Sequence, residues 1–206
     1  MTMTSSRPDR PPPAVPPQPS DRELWDALRR CDPEALGELF SRYSAVVHAY
    51  AVRHTGSYAV ADDAVQTTFI NAWRQFTRSD PGPLQHETAK AWLLTIARNE
   101  LRNVARAKRR LTHFVSRQPQ PGHQPDHADA IAARLDSEQH IRAVRQALRQ
   151  LPAHERETIE LVYWAGLRVA EAAVVLGVAE GTVKARLSRA RRRLPALLDH
   201  PGPEES

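Results

Sequence analysis

Apolar residues recur along this chain at steps of three and four, the spacing that gathers them on one face of an α-helix. Leu24, Trp25 and Leu28 follow Ser20-Asp21-Arg22-Glu23, a run that fits a capping box. Asp32-Pro33-Glu34 restarts a helix with Asp at the N-cap and Pro at the first position. Its apolar face is Leu36, Leu39, Phe40, Tyr43, Val46, Val47 and Tyr50, and Gly56 ends it. The next helix runs from about Ala59 to Phe76 and turns Val65, Phe69, Ala72, Trp73 and Phe76 inward. A loop over Thr77 to Thr88 carries Asp80-Pro81-Gly82-Pro83. Then a helix from Ala89 to about Arg110 faces inward with Leu93, Ile96, Ala97, Leu101 and Val104. No run alternates with period two for long enough to make a strand.

The pattern breaks at 112–137, where Gln118 to Pro125 is polar and interrupted by proline. This reads as a flexible linker, with a helical piece at Asp129–Leu135. Ile141, Val144, Leu148 and Leu151 then resume the periodicity. Pro152 restarts a helix with Ile159, Val162 and Tyr163 inside, ending near Gly166. Two short helices, Val169–Leu176 and Glu180–Leu194, flank Gly177, and the chain frays from Pro195. Residues 1–19 hold seven of the 17 prolines and almost no large apolar side chain, so a disordered tail is expected there. The fold class is all-α: two small helical domains, 20–111 and 138–198, joined by a flexible linker, with a short tail at 199–206.

The segment around Gly177 fits a helix-turn-helix. Ala173 lies four residues before the glycine, where the crossing helix leaves room only for a small side chain, and Gly177 takes the sharp turn. Leu176, Val178, Val183 and Leu187 pin the two helices together. Charge sharpens the reading. The chain carries 29 Lys and Arg against 24 Asp and Glu, a net +5 that says little when spread evenly. Here it is not. Lys184, Arg186, Arg189, Arg191, Arg192 and Arg193 crowd the second helix, and no acid intervenes between Glu180 and Asp199. Such a helix repels itself unless a polyanion lies beside it, as DNA does in a major-groove recognition helix. A second basic stripe, Arg98, Arg102, Arg106 and Arg109 or Arg110, recurs at helical spacing against the single acid Glu100.

Family motifs surround both features. Leu151-Pro152-Ala153-His154-Glu155-Arg156, Gly166-Leu167 and Gly181-Thr182-Val183-Lys184-Ala185-Arg186-Leu187-Ser188-Arg189-Ala190-Arg191 resemble region 4 of bacterial RNA polymerase sigma factors. Ala61-Asp62-Asp63-Ala64-Val65-Gln66-Thr67-Thr68-Phe69-Ile70-Asn71-Ala72-Trp73-Arg74 resembles sigma region 2.2. Ala91-Trp92-Leu93-Leu94-Thr95-Ile96-Ala97-Arg98-Asn99-Glu100 resembles regions 2.3 and 2.4. With no acidic N-terminal region and no room for a middle domain, the resemblance is to the small extracytoplasmic-function (ECF) group. It departs from the family pattern at Ala172, Ala185 and Thr67.

The resemblance implies that Asp62, Asp63, Gln66, Ile70 and Arg74 dock on core RNA polymerase, at the β′ clamp, with β as a further contact. It implies that Arg98, Asn99, Arg102, Arg106, Arg109 and Arg110 hold the −10 strand of promoter DNA. It places Thr182, Lys184, Ala185, Arg186, Arg189 and Arg191 on the −35 element. An anti-sigma factor is a further expected partner. Trp92, beside Leu93, reads as core rather than as a base-stacking platform.

Other classes fit poorly. The sequence has no P-loop, GxGxxG, GxSxG or HExxH motif, and Asp62-Asp63 diverge on a helix. Neither catalytic residues nor a small-molecule substrate are expected. His113, His123 and His127 lack ligand spacing, and Cys31 is the single cysteine, so no metal, cofactor or disulfide is expected. No signal peptide or membrane span is legible, and a cytoplasmic protein is expected. The competing reading is a free-standing helix-turn-helix regulator that never joins the polymerase. It leaves Asp62 to Arg110 unexplained.

Overall fold

A computed structural model describes residues 18–115, 144 and 146–199. Nearly all of the tail at 1–19, the linker beyond Val115, its helical piece at 129–135, Ile141 and the end of the chain from His200 lie outside them. Among the described residues all regular structure is helical. The helices are α1 (Asp21–Arg29), α2 (Pro33–Thr55), α3 (Tyr58–Arg78) and α4 (Lys90–Val115) in the first domain. The second domain has α5 (Ala153–Ile159), which runs on into a π-helical turn (Glu160–Trp164), then α6 (Val169–Leu176) and α7 (Glu180–Asp199).

The helix ends form as the sequence dictates. Ser20 Oγ accepts from the Glu23 amide at 3.3 Å, and the Glu23 carboxylate accepts from the Ser20 amide at 2.7 Å, closing the capping box. Asp32 accepts from the Glu34 amide at 2.9 Å, with Pro33 in the first turn. Gly56 and Gly177 end α2 and α6 in the left-handed region, at φ 70° and 67°, which only glycine enters without strain.

In the first domain, Leu24, Trp25, Leu28, Leu39, Tyr43, Val47, Tyr50, Val65, Phe69, Phe76, Leu93 and Leu101 are buried in one core. Trp25, Phe76 and Trp92 meet edge-to-face, with centroids 4.7–5.5 Å apart, so Trp92 is a core residue. Asp21 is the polar hub of this domain. Its buried carboxylate accepts from the Tyr43 hydroxyl, from Arg42 and from the Ala89 amide. It thereby ties the start of α1 to α2 and to the entry of α4. The 79–89 loop is fastened as well: Arg29 pairs with both Asp80 oxygens at 2.8 and 2.6 Å, and the Trp25 indole donates to the Gly82 carbonyl at 2.8 Å.

Trp73 and Val162, like Trp92, are half-buried and pack against the core. Three expectations need correction. Val104 is 49% exposed, because α4 leaves the body after Leu101 and residues 102–107 are exposed. Tyr163 is 52% exposed. The Ala165 amide reaches back five residues to the Glu160 carbonyl at 2.9 Å, and this widened turn carries Tyr163 off the apolar face. Lastly, α7 does not fray at Pro195 but continues to Asp199.

The two domains are docked. α4 packs along α6, and their buried apolar residues form one contiguous cluster. Nothing in the sequence announces this contact.

Candidate nucleic-acid and polymerase interfaces

Three surfaces carry the expected site residues. The first is the outer face of α3. Ala61, Ala64, Val65, Thr68, Phe69 and Ala72 point into the core, which leaves Asp62, Asp63, Gln66, Ile70 and Arg74 exposed along the opposite side. Ile70 is 49% exposed and flanked by polar groups, and Phe40 of α2, 45% exposed, packs edge-on against Phe69. The face is therefore an apolar centre rimmed by charge, the composition of a helix-docking interface. Asp62 is paired with His48 at 3.1 Å. Phe40 was placed in the core by periodicity; its exposure was not legible, since a 3.6-residue stripe wide enough to meet α3 also reaches its rim.

The second surface is α4 with the loop before it. Arg102, Arg106, Arg109 and Arg110 are exposed on the part of the helix that stands clear of the core. Asn99 is exposed beside them and lines a groove between α3 and α4 with Asn71, Arg74, Gln75, Arg78 and Ile96. The groove holds about 350 Å³ and sets amide and guanidinium groups and one apolar wall beside the Glu100 carboxylate, which accepts from Asn71 at 2.9 Å. Arg98 differs from the rest of the stripe. Its guanidinium is turned toward the second domain, where Nε donates to Glu157 at 2.7 Å.

The third surface is α7. Val183, Leu187 and Ala190 are buried against the rest of the domain, so the outward face is Gly181, Lys184, Ala185, Ser188 and Arg192. Thr182 and Arg186 flank it, half-buried. The remaining three arginines of the helix, though partly or largely exposed, each bond to a side chain of the same domain. Glu155, only 1% exposed, accepts from Arg189 at 3.2 Å and from Arg193 at 3.0 Å. Arg191 donates to the Tyr163 hydroxyl and lies over its ring. The residues expected at DNA thus include Arg189 and Arg191, which have protein partners, and leave out Ser188 and Arg192, which face outward. Helical spacing from Ala185 could have found both, since Ser188 and Arg192 follow it by three and seven positions.

Two helices with exposed cations, one of them the second helix of a helix-turn-helix, define the class as a DNA-binding protein built of helical domains. Comparison with known proteins names the family. Residues 39–111 match the sigma-70 region 2 model, and residues 141–194 match the sigma-70 region 4 model. The ECF RNA polymerase sigma factor SigL of Mycobacterium tuberculosis is 36% identical over 170 residues, 80% of this chain and 89% of SigL. Two solved structures are similar. CnrH, from Cupriavidus metallidurans, in complex with the cytosolic domain of CnrY, has a TM-score of 0.62 at 28% identity, over 87% of this chain and 97% of CnrH. The sigma factor RpoE in complex with the anti-sigma factor NepR, from Bartonella quintana, has a TM-score of 0.59 at 29% identity, over 79% and 96%.

This chain belongs to the sigma-70 family of RNA polymerase sigma factors, in its ECF group. It is a transcription initiation factor that binds core polymerase and directs promoter recognition, not an enzyme. The match over 39–111 covers the part of the chain that a free-standing regulator leaves without a role. Among the described residues no helix is long and apolar enough to cross a membrane.

Proposed function

We propose that the three surfaces divide the work of a sigma factor among named residues. Asp62, Asp63, Gln66, Ile70 and Arg74 dock on the β′ clamp of core polymerase, with further contact to β. Thr182, Lys184, Ala185, Arg186, Ser188 and Arg192 face the −35 duplex. Asn99, Arg102, Arg106, Arg109 and Arg110, with the α3–α4 groove, hold the −10 strand as it opens. The domains bearing these surfaces are 20–111 and 138–198, and the protein works in the cytoplasm. The observation that carries the assignment is the exposed α3 face: five residues chosen from a motif are all uncovered and contiguous.

The relatives CnrH and RpoE are each seen with a bound protein, CnrY and the anti-sigma factor NepR. By that likeness an anti-sigma factor is a partner of this chain too.

The docking assignment is tested by replacing Asp63 and Gln66 together with Ala. Affinity for core polymerase should fall about tenfold or more, ~1.4 kcal/mol. Binding of the −35 duplex should be unchanged. Retention of full affinity for core enzyme would remove this face from the interface.

A further inference from the structure

Asp21, Trp25 and Arg29 follow one another at four-residue steps on α1 and so share one face of it. Each bonds to the segment between α3 and α4. Asp21 Oδ2 accepts from the Ala89 amide at 2.7 Å, and the Trp25 indole donates to the Gly82 carbonyl at 2.8 Å. Arg29 donates from Nε and Nη2 to the two Asp80 oxygens, at 2.8 and 2.6 Å. The loop therefore runs back along α1 and is held at both of its ends. Asp80 also accepts from the Gly82 amide at 3.0 Å, which closes a turn between two of the held residues.

The held points adjoin the α3–α4 groove. Arg78 and Ser79, the residues just before Asp80, line it, as does Gln75. Trp25 connects to the same wall through the core: its ring meets Phe76 and Trp92, and the Trp92 indole donates to Gln75 at 3.3 Å. Trp25 and Arg29 do not line the groove themselves, so their influence on it passes through the loop and the wall.

An untethered loop makes a poor wall. The segment 79–89 joins two helices without regular structure of its own. If it sampled many backbone conformations, ordering it at the moment a strand binds would subtract from the binding energy. Here the order is present before any strand arrives, and α1 supplies it.

We propose that α1 is a splint for the −10 groove, with Arg29 and Asp80 as its outer fastening: a positioning pair that sets the loop for strand capture without touching the strand. The proposal rests on the reading of α4 and the groove as the strand-binding surface. The Arg29 and Asp80 side chains are 36% and 56% exposed, so the pair adds little to the stability of the fold and can be removed without unfolding it.

The test uses holoenzyme assembled from core polymerase and the full-length chain, on a promoter selected for it from a randomised library. Arg29→Ala and Asp80→Ala should each bind core polymerase and melt as the parent does, while the amides of residues 82–88 exchange hydrogen faster. Each should open the paired promoter more slowly, by about fivefold, the most that an exposed ion pair ordinarily holds. Loss of the Arg29 charge slows binding of any polyanion, so Asp80→Ala decides. Removing its negative charge by itself favours a polyanion, and slower opening can then act only through the loop. Opening by Asp80→Ala at the parental rate or faster overturns the splint, as does unchanged exchange in the loop. The double variant should be no slower than Arg29→Ala, and a defect that multiplies would show that the two residues act separately and overturn the pair. Joint replacement of Arg102 and Arg106 with Ala is the control for the groove. Parental opening there faults the strand reading and the splint with it, whereas slow opening there beside parental opening by Asp80→Ala faults the splint alone.

Discussion

Two buried acids hold this molecule together, and each is worth more through its partners than through its own charge. Asp21 accepts from a hydroxyl, a guanidinium and a backbone amide inside the first domain. Burial, followed by the hydrogen bond to Asp21, raises the Tyr43 pKa beyond any working pH, so its phenol stays a donor. Removing the acceptor strands the Tyr43 hydroxyl and the Ala89 amide, whereas Arg42 keeps Glu38 at 3.1 Å and the Pro19 carbonyl at 2.9 Å. Asp21→Ala should cost about 3 kcal/mol, since two buried donors lose their acceptor. Tyr43→Phe removes one donor and should cost only about 1 kcal/mol. Urea unfolding followed by tryptophan fluorescence gives both values, and the order Asp21→Ala above Tyr43→Phe is the part that matters. Glu155 is the corresponding residue in the second domain. Glu155→Ala adds net positive charge, which by itself favours any DNA. It also frees Arg189 and Arg193 from their bonds to α5. We therefore expect nonspecific duplex affinity to hold or rise while the preference for promoter over random duplex falls, read as a ratio by competition binding.

At the scale of elements, α7 shows how far a sequence can be read. Its buried stripe, its glycine turn and its cationic content were all legible, because each follows from helical spacing or from a conformation one residue type tolerates. Which arginines were free was not legible. Arg189 and Arg191 meet Glu155 and Tyr163, which stand 34 and 28 residues away in the chain, and no local pattern encodes that meeting. The continuation through Pro195 escaped for another reason. Proline removes one backbone donor, leaving the Arg191 carbonyl without its helical partner. Pro195 and Arg191 are both exposed there, so water can take the donor's place and the helix persists. The π-turn escaped because one added residue shifts every later side chain by about 100° around the axis. Against that background, Arg186→Ala and Ser188→Ala should relax preference at one or two −35 positions, at ~1–3 kcal/mol for a base-edge contact. Arg192→Ala, on the outward face, should mainly reduce the dependence on salt. Binding to a set of single-base −35 variants at two salt concentrations separates the outcomes.

For the whole molecule, domain docking creates an environment neither domain has alone. Glu160 is buried under α2, beside a cavity of about 180 Å³ lined in part by Val46, Tyr50, Arg53 and Trp164. Arg156 and Glu157 face it from α5, and Arg53 from α2. Burial raises its pKa to about 7, with Glu157 adding to the rise and Arg156 and Arg53 opposing it. An undocked Glu160 in water ionises near 4.5. Docking therefore takes up a proton between those values, and Glu160 disfavours the docked form increasingly as pH rises from 4.5 to about 7. His54 acts the other way. Burial lowers its pKa, so its protonation opposes docking as pH falls below 6.5. Glu160→Gln isolates the first effect: energy transfer between a dye on Cys31 and one on a cysteine introduced at exposed Val174 should exceed that of the parent at pH 8 and converge with it below about pH 4.5. Parallel curves would mean that Glu160 stays protonated or hydrated in both forms.

The Asp21 hub also sets a schedule. Its carboxylate reaches Tyr43, 22 residues later, and the Ala89 amide, 68 residues later. A ribosome adding roughly 5–20 residues each second needs roughly 3–14 s to make the stretch between Asp21 and Ala89. Until then α1 has no anchor at the α4 end, and Trp25 lacks both Gly82 and Trp92. The first of the described helices to leave the exit tunnel is thus among the last to settle, and until then its indole has neither its hydrogen-bond acceptor nor its ring partner Trp92.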